Sequence, residues 1–283
     1  MDRDYLYYPG TRRFDRWILV YDDVSIEELS PLHERDSFSW NVTSKEIGDG
    51  ELCVRIFSHN PAITQLPPFV HELSANIVNL EMPIRFVPFL KSSSIPLSVK
   101  TLGFSGTGRF EIPPSVQLPQ IERIQAEELI FGERNFPELT SLTIKLDRHR
   151  TMLKRLNHWK KLKVLSIGPC QSDIFSLLSG LELGYLRLNN NHSTQNLEGI
   201  ERISTITDLW IQMWTQLNDL TSLTQLPLLE ELTISYCKRL QVVEPLLEIQ
   251  NLKSLFIWQC QSKTLHQLVP ELKKKGIEKL AIS

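Results

Sequence analysis

The 283 residues are 41% hydrophobic and 23% charged, the balance of a chain that folds around apolar contacts rather than a disordered or membrane-spanning one. Thirty-one basic side chains against 33 acidic ones leave a net charge of −2, so bulk charge recruits neither nucleic acid nor an anionic bilayer and any charged recognition is local. The start, Met1-Asp2-Arg3-Asp4-Tyr5, lacks the regions of a secretory signal, and no stretch has the apolar run of a membrane helix; a cytoplasmic protein without a membrane partner is the expectation.

In chain order, Trp17-Ile18-Leu19-Val20-Tyr21 predicts a strand, and Ser25-Ile26-Glu27-Glu28 has the capping-box spacing of a short helix. From about residue 51 a spaced aliphatic pattern takes over. It is loose at Ile77/Leu80/Met82, Val99/Leu102/Phe104 and Ile121/Ile124/Ala126, and tightens at Leu139/Leu142/Ile144. Leu162-x-x-Leu165-x-Ile167-x-x-Cys170 then recurs as Leu229-x-x-Leu232-x-Ile234-x-x-Cys237 and Leu252-x-x-Leu255-x-Ile257-x-x-Cys260. The same frame holds at Leu183/Leu186/Leu188, Ile206/Leu209/Ile211 and Ile277/Leu280/Ile282. From Leu142 to Leu280 the central aliphatic steps by 23, 21, 23, 23, 23 and 25 residues, which is self-similarity at a fixed period.

Between these frames, Leu66-Pro67-Pro68, Val87-Pro88 and Ile112-Pro113-Pro114 predict extended arcs without hydrogen bonds. The Ser- and Pro-rich Lys91–Pro96 predicts an irregular return. In the second half, Met152, Leu153, Leu156 and Trp159, then Leu217, Leu220 and Leu223, then Leu265, Leu268 and Leu272 have helical spacing.

The motif and its period resemble the leucine-rich repeat, over residues 51 to 283 in about ten copies. The resemblance implies an α/β fold, a leucine-rich-repeat solenoid curved like a horseshoe, with parallel strands on the concave face and mixed helical and irregular convex segments. Residues 1–50 fall outside the frame and are expected to form a short N-terminal cap over the end of the core. The repeat is a packing code and implies no activity.

Cys170, Cys237 and Cys260 share the ninth position of the frame with Asn191, where the family places Asn or Cys to satisfy main-chain groups of the turn. A structural ladder accounts for them; no C-x-x-C pair or histidine stands at zinc spacing. The seven histidines, His33, His59, His71, His149, His158, His192 and His266, form no metal-ligand array. Gly103-Phe104-Ser105-Gly106-Thr107-Gly108 matches neither a nucleophile elbow nor a phosphate loop and reads as a strand leaving into a glycine turn. The expectation is a non-enzymatic chain with no catalytic residues, metal or cofactor.

Side chains alternate along a strand, so the fifth positions, Ser166, Arg187, Trp210, Thr233 and Phe256, face outward. So do the seventh, Gly168, Asn189, Gln212, Ser235 and Trp258. Trp, Tyr and Arg dominate binding hot spots. The partner-binding set is therefore Tyr185, Arg187, Asp208, Trp210, Gln212, Met213, Tyr236, Phe256 and Trp258, holding a protein on the concave face, in one form as an inhibitor or toxin-neutralising immunity protein.

Two alternatives stand beside this reading. An effector or adaptor of a ubiquitin-ligase-like system would need a catalytic domain that about 50 residues outside the repeats do not supply. A nucleic-acid scaffold would use Arg148, Arg150, Lys154, Arg155, Lys160, Lys161 and Lys163, within segment 148–163. A charge run of this kind is more often a solvated face, and nucleic acid is not the expected partner.

Overall fold

The computed structural model describes residues 16–21, 52–57, 62, 64–66, 69–72, 77–262 and 264–283. The expected helix at Ser25–Glu28 and the prolines at 67 and 68 lie outside them. The chain divides into two compact units, Met1–Asp147 and Arg148–Ser283.

The first unit holds β1 (Arg16–Tyr21), β2 (Leu52–Phe57), β3 (Ile77–Pro83), β4 (Thr101–Ser105), β5 (Phe110–Glu111), β6 (Arg123–Ala126), β7 (Leu129–Ile130) and β8 (Ser141–Lys145). All but β5 and β7 pair in parallel in chain order, and β5 and β7 form a separate short parallel pair. The predicted strand at Trp17–Tyr21 is β1, beside β2. Register sets Val54, Leu80, Leu102, Ile124 and Leu142 side by side, and every one is buried. One strand can cover only part of such a row, which is why each repeat needs its neighbours.

Where irregular arcs were expected, the chain forms 3₁₀ turns at Ile84–Phe89 and Ser92–Ser94, the first of which buries Ile84, Phe86 and Val87. A Cβ on Gly103 would lie 3.0 Å from Glu81 Cγ; this close approach of β3 and β4 accounts for the glycine.

The second unit holds β9 (Val164–Gly168), β10 (Tyr185–Asn191), β11 (Asp208–Trp214), β12 (Glu231–Ser235), β13 (Ser254–Trp258) and β14 (Lys279–Ile282), each parallel to the next. Leu165, Leu186, Leu209, Leu232, Leu255 and Leu280 are in register. The first five are buried, and Leu280 on the last strand is partly exposed.

The helical returns differ in type from the expectation. Leu153–His158, Ile200–Ile203, Thr221–Gln225 and Glu244–Leu247 are 3₁₀ turns. Ile174–Leu178 makes a short α-helix, and Leu265–Lys274 a full one. The reason is in the spacing: at three residues per turn, side chains at i and i+3 eclipse on one face, and Leu217, Leu220 and Leu223 are all fully buried. The longest return forms the ten-residue α-helix, with Leu265 and Leu272 turned inward.

Candidate binding face of the second unit

Alternation along β9 to β13 puts the fourth and sixth positions of the frame in the core and turns the fifth and seventh to the other side of the sheet, where Ser166, Gly168 and Ser235 are nonetheless buried, against the expectation that they are open. Arg187 on β10, Trp210 on β11 and Thr233 on β12 are cross-strand neighbours, as are Thr233 and Phe256 on β13. The Arg187 guanidinium lies over the Trp210 ring, 3.7 Å from its centroid. It also donates from Nε to Asn189 Oδ1 at 3.2 Å and from Nη2 to Gln212 Oε1 at 2.5 Å. A cation held on both its edge and its face keeps few rotamers, and the stack contributes about 0.5–2 kcal/mol.

Trp210 is anchored in turn by Nε1–H donating to Ser235 Oγ at 3.2 Å. Trp258 meets it edge to face, with centroids 6.4 Å apart and planes at 78°, and Phe256 lies 5.9 Å from Trp258. The result is a continuous row from guanidinium to indole to indole to phenyl. Trp258 is 37% exposed, and Trp210 and Phe256 are half-buried.

At the ends of β11 and β12 stand Met213, 42% exposed, and Tyr236, 47% exposed. Both have a left-handed backbone, with φ of 57° and 58°, as do Asn190 at 55° and Gln259 at 52°. All four occupy the eighth position of successive frames. The sequence reading did not find this row, for which Asn190 is the single residue-type signal, since Asn tolerates positive φ and Met, Tyr and Gln seldom adopt it.

Tyr185 is placed differently from the rest of the expected set: it is only 7% exposed, flanked in register by Val164 and Asp208. Asp208 sits beside Glu231 on β12. Burial, the Asp208 charge and a hydrogen bond that the protonated Glu231 carboxyl donates to Asp208 push the Glu231 carboxyl above its ordinary value. The face is thus aromatic at its centre and acidic at one margin.

The ninth positions point inward. Asn191 is fully buried; its Oδ1 accepts from Ser193 and Thr194 N–H, each at 2.9 Å, and Nδ2 donates to Thr194 Oγ1 at 2.8 Å. Cys170 donates from Sγ to Ile167 O at 3.7 Å, and burial pushes its thiol up to about 12. Trp214 occupies the same position in the frame between Asn191 and Cys237, fully buried, which the sequence reading did not assign.

The basic segment is not an unbroken cationic strip. Arg150 pairs with Asp173 at 2.6 Å and with Gln171, and Lys163 pairs with Glu182 at 2.9 Å. Among the described residues no three His, Cys, Asp or Glu side chains group as metal ligands, and no helix is long and apolar enough to cross a membrane.

No protein-family model matches the sequence, and no curated protein matches it. Among solved structures, internalin C2 of Listeria monocytogenes is similar at 20% identity, over 63% of this chain and 76% of that one, with a TM-score of 0.41. A second internalin of Listeria monocytogenes, InlF, is similar at 15% identity over 94% and 86%, with a TM-score of 0.45. Toll-like receptor 13, in a structure titled as its complex with a single-stranded RNA, is similar at 14% identity over 86% and 45%, with a TM-score of 0.45. The repeat spacing and strand register of this chain, rather than these distant likenesses, carry its fold assignment.

Proposed function

From a leucine-rich-repeat fold that turns a stacked aromatic and guanidinium row to its open side, we propose that this chain is a non-enzymatic module whose second unit holds a protein partner on the strand face. The observation that supports the reading is the row Arg187–Trp210–Trp258–Phe256, continued by Met213 and Tyr236. Rings with few rotors, already ordered by their own contacts, lose little entropy on docking and bury large area.

A partner seated there covers Trp210 and Trp258 and reaches Arg187, Gln212, Met213, Tyr236 and Phe256 at the rim, with Asp208 at the acidic margin. Tyr185 supports the floor rather than the contact. An inhibitory or toxin-neutralising role in the cytoplasm is the form we favour, because the face offers a broad recognition surface and no assembled nucleophile and base. The N-terminal cap expected over residues 1–50 lies, apart from β1, outside the described residues.

Affinity capture from the source cells, with wild-type chain and with the double variant Trp210→Ala/Trp258→Ala, tests this directly. Partners retained by the wild type should be reduced at least about tenfold on the variant, with circular dichroism unchanged. Equal retention by a folded variant would remove the face from the proposal.

A further inference from the structure

We infer that Cys237 and Cys260 form a modification site, at which a hydroperoxide closes the two thiols into a disulfide between neighbouring repeats. Each cysteine lies two residues beyond a strand pair, Ser235 on β12 and Trp258 on β13, that is in register. Each follows a left-handed residue, Tyr236 or Gln259, that turns the chain inward. Adjacent parallel strands run about 4.8 Å apart, inside the Cα separation of about 4.4–6.8 Å that a disulfide requires. Both cysteines are free thiols.

Their contacts are already mutual and unequal. The Cys237 main-chain N–H donates to Cys260 Sγ at 3.4 Å. Cys260 Sγ also lies 3.2 Å from Trp258 O and 3.6 Å from Ile234 O, while Cys237 Sγ lies 3.6 Å from Ser235 O. Cys237 is fully buried; Cys260 is partly open to solvent. The neighbouring Cys237 side chain holds the Cys260 thiol below its ordinary value, and the Cys260 side chain together with burial pushes Cys237 up. Cys260 is thus the more accessible and more readily ionised thiol and Cys237 the resolving thiol behind it, the arrangement that reversible thiol oxidation uses.

The chemistry balances in two steps. The Cys260 thiolate attacks one peroxide oxygen, the O–O bond breaks, the departing alkoxide or hydroxide takes up a proton, and Cys260 becomes a sulfenic acid. The Cys237 sulfur then attacks the Cys260 sulfur, its proton leaves with the sulfenyl oxygen as water, and the S–S bond forms. Two thiols are oxidised and one hydroperoxide is reduced to an alcohol, or water, plus a second water. Cys170 is an internal control: it holds the same frame position, but the neighbouring strand supplies Asn191 there, and burial holds its thiol up at about 12. This inference does not depend on what the strand face binds.

The test treats the folded full-length chain with hydrogen peroxide and digests it with trypsin without reductant. Cys237 precedes Lys238, and Cys260 falls in residues 254–263, so the two lie on separate peptides unless joined. The expected result is that linked pair, lost on reduction, with the free thiols of Cys237 and Cys260 lost and that of Cys170 kept. In Cys237→Ser, dimedone should trap a sulfenic acid at Cys260; in Cys260→Ser, Cys237 should stay reduced. Should either variant fail to fold, alkylation of the wild type decides the order, with Cys260 modified at least about tenfold faster than Cys170. The inference is overturned if Cys260 proceeds to sulfinic acid without cross-linking, if the linked peptide forms only in denaturant, or if Cys170 reacts as fast as Cys260.

Discussion

At the scale of single residues, the second unit depends on polar groups that close the turn after each strand. Asn191 is the clearest, since its amide satisfies two main-chain N–H groups and a threonine hydroxyl in a site closed to water. Asn191→Ala leaves those donors without a partner and should cost about 1–3 kcal/mol, read as a lower urea midpoint; an unchanged midpoint would mean that water replaces the amide. Glu231 makes a prediction of opposite sign. Because its carboxyl is raised in the folded chain, the fold binds that proton more tightly than the unfolded chain does. Its stabilising contribution is complete below the ordinary carboxylate pKa and is lost as pH rises through the raised value. Glu231→Gln should therefore melt higher than the parent at neutral pH and low salt, with the difference fading below about pH 4. The side chain is largely exposed, so salt should shrink the effect. A variant that melts lower at neutral pH would contradict the repulsion from Asp208.

At the scale of elements, each strand is a rung whose core side is set by two aliphatics and whose open side is free to vary. That division leaves the returns periodic whichever helix type they adopt. Spacing of three at Leu217, Leu220 and Leu223 is shared by both helix types, and the choice falls to how many residues the return has to span its rung. Leu232 illustrates the cost of a rung. It is fully buried on β12, in register between Leu209 and Leu255. Leu232→Ala should lower stability by about 2–5 kcal/mol through the cavity it leaves, measured by equilibrium unfolding; a loss below about 0.5 kcal/mol would show that the neighbouring repeats collapse into the space.

At the scale of the whole molecule, near-neutral net charge and local pairing of the basic segment argue against polyanion binding. Arg150 and Lys163 already have carboxylate partners. A single-stranded RNA oligonucleotide retained in about 50 mM salt should be released by about 200 mM, as expected for a few phosphate contacts. Retention that persists would restore the nucleic-acid reading. By itself the sequence determined the repeat, its register and which side of each strand faces out, because the spacing of buried aliphatics is a local consequence of strand geometry and survives in one dimension. Only the tertiary structure decided what the outward residues do to one another. It stacked Arg187 on Trp210, set Trp210 edge to face with Trp258, buried Tyr185, and brought Cys237 to Cys260. Those outcomes depend on which side chains meet across one or two repeats of the chain, and period alone does not encode how rings tilt or which thiol reaches the solvent.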